Sequence, residues 1–143
     1  MKAVATWQGG YRTLLEDGRG HAVTVDLPAD EDGEDVGTSA LELAVLSLAG
    51  CISTIFAVVA ERRRLRYDAL RIELEAIRPH GARTFTSVHG TCTVGTDAPP
   101  DEVGTALRLT VRTCPVGVLL DRAQVPVELH TVVVPAAAPS RVP

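Results

Sequence analysis

The sequence predicts an α+β fold, and three observations carry that expectation. The chain opens with short strand-like runs, "AVATW", "YRTLLED" and "HAVTVDL", separated by the turn sequences "QGG" and "DGRG". A single long apolar stretch follows, "LAVLSLAGCISTIFAVVAERR". Two more alternating runs, two short helical patterns and a closing strand complete the chain. The order β-β-β-α-β-β-α-α-β puts strands and helices in blocks, as an α+β domain does.

The first three strands read as an antiparallel meander. The acidic "PADEDGEDVGTS" after them is a solvated loop that ends in a helix N-cap, Thr38 or Ser39. The helix runs from about Leu41 to about Arg64. Through Phe56 its apolar residues lie on every face, so it has to be buried all round. Polar residues return at Glu61, Arg62, Arg63 and Arg64, where positive charge suits a helix C-terminus.

In "ALRIELEAIR" Leu70, Ile72, Leu74 and Ala76 alternate with Arg71, Glu73 and Glu75, the pattern of a half-buried strand. "TFTSVHGTCTV" continues it beyond the hairpin connection "RPHGAR", with Val88, Cys92 and Val94 on one face. "APPDEVGTALRLTVRT" is a second helix, led by prolines and by acidic residues in its first turn. "CPVGVLLDRA" starts a short third helix, with Cys114 near its N-cap and Pro115 at its first position. "PVELHTVVV" is the last strand. Without repeats or an interdomain linker, residues 1–135 form a single domain, and residues 136–143 form a flexible tail.

The helix that is apolar all round has a further consequence. One thin sheet from a chain of 143 residues cannot wrap it, and a second copy of the chain can. An intertwined homodimer with the Cys51 helix near the interface is therefore expected. A membrane span is the competing use of such a run, since it reaches the minimum length of ~18 residues. Ser47, Ser53 and Thr54 interrupt it, and its flanks alternate as strands of a water-soluble fold do.

Composition narrows the function classes. Lys and Arg total 14 and Asp and Glu total 18, a net charge of −4, with only 3% aromatic residues. A nucleic-acid partner would need a basic surface and stacking rings. Three cysteines are too few, and odd in number, for a disulfide framework, and "MKAVATWQGGYR" lacks the apolar core of a signal peptide. A cytoplasmic protein with reduced thiols is expected, with no membrane partner. No cofactor or metal motif is present: the chain has no HExxH, CxxC, P-loop or GxGxxG opening a helix.

The thiols are the chemical candidates. A cysteine reacts as its thiolate, which requires a device to lower its pKa from ~8.5. Cys114 has one in the N–H groups at the start of the third helix. Cys51, in mid-helix, needs a cation from elsewhere, and Arg12, Arg19 and Arg112 are the candidates. From the residues alone either cysteine can equally be a small core hydrophobe, and Cys92 reads as one.

At this point the sequence resembles a known family. "GTSALELAVLSLAGC" looks like the segment before the first cysteine of the OsmC/Ohr organic hydroperoxide reductases, and "RTCPVGVLL" is similar to their second cysteine motif. "WQGG" and the three-strand opening fit as well, so the likeness extends over essentially the whole chain. It implies an OsmC-like fold, with antiparallel sheets wrapped around the long central helices of an intertwined homodimer. It also implies a thiol peroxidase for organic hydroperoxides. Cys51 would be peroxidatic and Cys114 resolving, through an intramolecular disulfide that a dithiol reductant reopens, either a lipoylated protein or a small thiol. In active members an arginine and a glutamate orient the reactive thiol. Arg12 and Glu42 are the candidates for that pair, with Leu41 standing at the family's glutamate position ten residues before Cys51 and Arg12 one residue past the family's arginine position. The alternative is a catalytically weak homologue, a dimeric small-molecule-binding or stress-related protein without peroxidase activity.

Overall fold

The computed structural model describes residues 1–137 and has the α+β order expected. By its internal contacts the chain falls into two compact units, Met1–Ala44 and Val45–Pro143. The tail expected at residues 136–143 lies mostly outside the described residues.

In the first unit β1 (Val4–Trp7), β2 (Thr13–Glu16) and β3 (Ala22–Val25) form an antiparallel sheet in the order β1-β2-β3. The first turn closes on itself, with Trp7 Nε1 donating to the Gly10 carbonyl at 2.9 Å. At the second, Asp17 accepts from the backbone N–H and the guanidinium of Arg19 and pairs with His21 Nδ1. The His21 hydrogen bond, the larger cause, and those from Arg19 hold the Asp17 carboxyl down at about 2.

The acidic loop after β3 is folded around one carboxylate. Asp26 is 3% exposed, and its oxygens accept the N–H groups of Leu27, Glu34 and Val36 at 2.9, 3.2 and 3.3 Å. The chain can therefore reverse between residues 27 and 36 with its donors satisfied, as buried backbone requires. Gly37 then passes against β3, where any Cβ would lie 2.4 Å from the Thr24 carbonyl oxygen.

In the second unit β4 (Ala69–Ile77) and β5 (Ser87–Gly95) pair antiparallel, from Ala69↔Gly95 to Ile77↔Ser87. Burial alternates along β4, with Leu70, Ile72, Leu74 and Ala76 turned inward as their spacing predicts. On β5, Val88, Cys92 and Val94 are fully buried. β6 (Val127–Val134) lies on the other side of β5 and runs parallel to it, from Val88↔Val127 to Gly95↔Val134. Only the first sheet is purely antiparallel, a correction to the expectation. The chain leaves β5 at one end, crosses back through two helices and re-enters in the same direction, as a parallel pair requires.

Those helices are α2 (Pro100–Thr113) and α3 (Pro115–Arg122), which meet at 64°. Val103, Ala106, Leu107 and Thr110 form the buried face of α2. The long helix, α1 (Ala40–Arg63), buries one stripe at a spacing of four: Leu48, Ile52, Phe56 and Ala60. Phe56 packs edge to face on Tyr67, with ring centroids 5.5 Å apart. The rest of α1 is only partly covered by its own chain, and Leu46 is 55% exposed. A single chain thus does not achieve the all-round burial that the composition of α1 demands. By length and apolar composition alone α1 also meets the criterion for a membrane span.

Asp26→Ala should destabilise the protein by about 1–3 kcal/mol, because it leaves three loop N–H groups without their acceptor. Urea denaturation checks the magnitude, and hydrogen exchange should show protection lost at Glu34 and Val36 first.

Candidate functional site

Two elements of the second unit bring the thiols together. Cys51 sits three residues after Leu48 and one before Ile52, on the flank of the buried stripe of α1, and this leaves it half-buried. Cys114 is fully buried at the break between α2 and α3. It ends one helix and begins the next: its N–H donates to the Thr110 carbonyl at 2.8 Å, and its sulfur accepts the Gly117 N–H at 3.4 Å. Pro115 favours this junction, since it has no N–H to satisfy at the first position of α3.

The two sulfurs lie 2.8 Å apart, with the Cys114 thiol donating to Cys51. Both are free thiols. Burial pushes Cys114 up to about 11, the hydrogen bond to Cys51 adds to the rise, and the Gly117 N–H only partly opposes it. The helix N-terminus expected to lower this thiol is present, but desolvation outweighs it. Cys114 is therefore held as a proton-bearing thiol aimed at a more accessible sulfur. Cys92 is pushed to about 11 by burial alone and faces the core between Val88 and Val94, as a small hydrophobe does.

Arg12, Arg19 and Glu42 are engaged locally. Arg12 pairs with Glu34 at 3.3 Å on an exposed surface, where such a bridge is worth only ~0–1 kcal/mol and is easily released. Arg19 is paired with Asp17. Arg112 lines a groove beside α2 and hydrogen-bonds to neither sulfur. Glu42 closes a capping box: its Oε2 accepts the Ser39 N–H and hydroxyl, both at 2.8 Å, while the Ser39 Oγ accepts the Glu42 N–H at 3.2 Å. The Ser39 backbone bond leads the causes that lower its pKa. The spacing "SALE" carries this signal in the sequence. The grip of Asp26 on its loop and of Gly117 on the Cys114 sulfur have no such local signature. Among the described residues no group of three or more His, Cys, Asp or Glu is placed to hold a metal.

Native alkylation should reach Cys51 first. Iodoacetamide at neutral pH, followed by peptide mass spectrometry, is expected to label it well ahead of Cys92 and Cys114. High pH should also destabilise the fold. Cys92 and Cys114 titrate near 11 when folded and near ~8.5 when unfolded. Their contribution is then intact below pH ~8.5 and is lost as pH rises toward 11. Denaturation midpoints across this window should fall, and fall less steeply in Cys92→Val.

The model of the family described as OsmC-like protein matches residues 31–130. No curated protein matches. An OsmC-like protein from Mycoplasma pneumoniae superposes with a TM-score of 0.83 at 14% identity, covering 93% of this chain and 96% of that one. An organic hydroperoxide resistance protein OsmC from Legionella pneumophila gives 0.73 at 19% identity, covering 94% and 98%. At these identities the superpositions establish the fold, and the family match covers well over half of the sequence: the chain belongs to the OsmC-like protein family.

Proposed function

We propose that the protein is a thiol-dependent peroxidase that reduces organic hydroperoxides, with Cys51 peroxidatic and Cys114 resolving. The observation that carries this reading is the sulfur pair: 2.8 Å apart, one partly open and the other fully buried. The names of the relatives, hydroperoxide resistance and redox proteins, support the same chemistry.

The Cys51 thiolate attacks the terminal oxygen of ROOH and breaks the O–O bond. The alkoxide leaves and takes up a proton as ROH, and Cys51 becomes a sulfenic acid. Cys114 then attacks the Cys51 sulfur. The sulfenic hydroxyl leaves as water, carrying the proton of the Cys114 thiol, and the Cys51–Cys114 disulfide forms. A dithiol, either a lipoylated protein or a small thiol, reopens it by exchange and is itself oxidised to a disulfide. The burial of Cys114 suits the resolving step, because it keeps that sulfur from the peroxide while holding it in reach of Cys51. Arg12 is the cation that the family resemblance implies for Cys51, and its exposed bridge to Glu34 costs little to release. Glu42 serves by capping the helix that carries the nucleophile. The uncovered faces of α1 support a homodimer as the working unit, in a reducing cytoplasm.

One observation favours the second reading, a dimeric binding homologue without efficient peroxidase activity. Leu41 stands at the family's glutamate position, and Glu42 is engaged in the helix cap.

Single-turnover reduction of cumene hydroperoxide by pre-reduced protein separates the two. The wild type should consume one equivalent and form the Cys51–Cys114 disulfide. Cys114→Ser should consume one equivalent and stop at a dimedone-trappable sulfenic acid, and Cys51→Ser should consume none. A wild type that consumes no more peroxide than Cys51→Ser, both at the uncatalysed background, would favour the binding homologue instead, and equal rates above background would sink the assignment of Cys51. Sedimentation at twice the chain mass is the expected result for the dimer.

A further inference from the structure

The second unit contains a groove that the proposed chemistry does not use. A cavity of about 400 Å³ lies between α2 and β6, floored by Leu107, Val111, Val127 and Leu129. Past Val111, Arg112 and Val127 it meets a second cavity of about 360 Å³, walled by Val118 and Val125. Each falls in the ~300–1,000 Å³ range of small-molecule sites.

The charge along the groove is one-sided. Arg108 and Arg112, one turn apart on α2, both line the first cavity. Arg108 donates to the Thr105 hydroxyl at 2.8 Å, and among the described residues neither guanidinium is ion-paired. The lining's one carboxylate, Asp121, stands in the second cavity. Arg112 borders both cavities, so an anionic head is best placed in the first, where two arginines and no carboxylate line the wall, while the apolar floor is shared through Val111 and Val127.

Gly104 strengthens this reading. A glycine inside a helix costs about 1 kcal/mol relative to alanine. Packing does not require this one: the nearest atom to a Cβ built there is the Arg108 Nη1, at an ordinary 3.5 Å. What the missing side chain leaves is an opening into the groove beside the two arginines.

We propose that this groove binds an alkyl carboxylate, its head between Arg108 and Arg112 and its chain running over Val111 and Val127 toward Val118. Charge complementarity selects the head and the apolar floor selects the tail. The site does not depend on peroxidase activity, so it can be tested with the nucleophile removed.

Octanoate is the probe, titrated by calorimetry and by backbone amide NMR into wild type and into Cys51→Ser. The expected result is saturable binding in both, with shifts centred on residues 104–112 and 127–131. Octan-1-ol and acetate should each bind at least about tenfold more weakly, since one lacks the charge and the other the chain. Arg108→Gln with Arg112→Gln should cost a similar factor. These side chains are exposed, so their loss should leave the fold intact. Gly104→Leu should block the site while favouring the helix, and an unchanged or raised melting temperature verifies that it folds. Octanol binding as tightly as octanoate, binding undiminished in Gly104→Leu or in the double arginine variant, or no saturable binding would each overturn the proposal. Loss of peroxide turnover in Cys51→Ser with octanoate binding retained separates this site from the thiol chemistry.

Discussion

A 24-residue helix with apolar residues on every side is the constraint the rest of the structure answers to. Its own chain buries one stripe, Leu48, Ile52, Phe56 and Ala60. Each large member of that stripe contributes about 1.5–3 kcal/mol on leaving water. The positions beside the stripe are the chemically useful ones, because they are shielded without being sealed. Cys51 occupies one of them, and its half-burial follows from its place on the helix.

The second requirement is a partner sulfur at the same place, and the break between α2 and α3 supplies it. A continuous helix would have used the donors around Cys114 in its own ladder. The 64° bend instead presents the Gly117 N–H to the sulfur and buries that sulfur against α1. Two electrostatic influences then compete at Cys114. The helix terminus favours a thiolate, burial favours the neutral thiol, and burial wins. The outcome is an asymmetric pair, a buried proton donor facing a more accessible acceptor.

Much of this is legible in residue order. The alternation in "ALRIELEAIR" gives the inward face of β4 correctly, and the parity of Val88, Cys92 and Val94 gives that of β5, because the side-chain period of a strand is two whatever surrounds it. The start of α1 follows from "TSALE", and the proline after Cys114 marks the helix break. The parallel pairing of β6 with β5 is not legible, because a strand's own pattern does not specify its neighbour or its direction. The grip of Asp26 on Glu34 and Val36 also escapes, since it joins residues 8 and 10 positions away through a loop of no regular period. The proline spacing likewise marks Cys114 as a helix N-terminus, but the rise of its thiol is not legible, because burial is a property of the surroundings.

By itself the sequence determined the elements, their inward faces, the two cysteine motifs and the excess of apolar surface on α1. These are local matters of period, capping and composition. Only the tertiary structure decided that sulfurs 63 residues apart meet at 2.8 Å and that one of them is sealed. It also decided that the arginines of α2 border a groove with β6. Each of these depends on the packing of distant segments, and through-space distance and desolvation are set there and not along the chain.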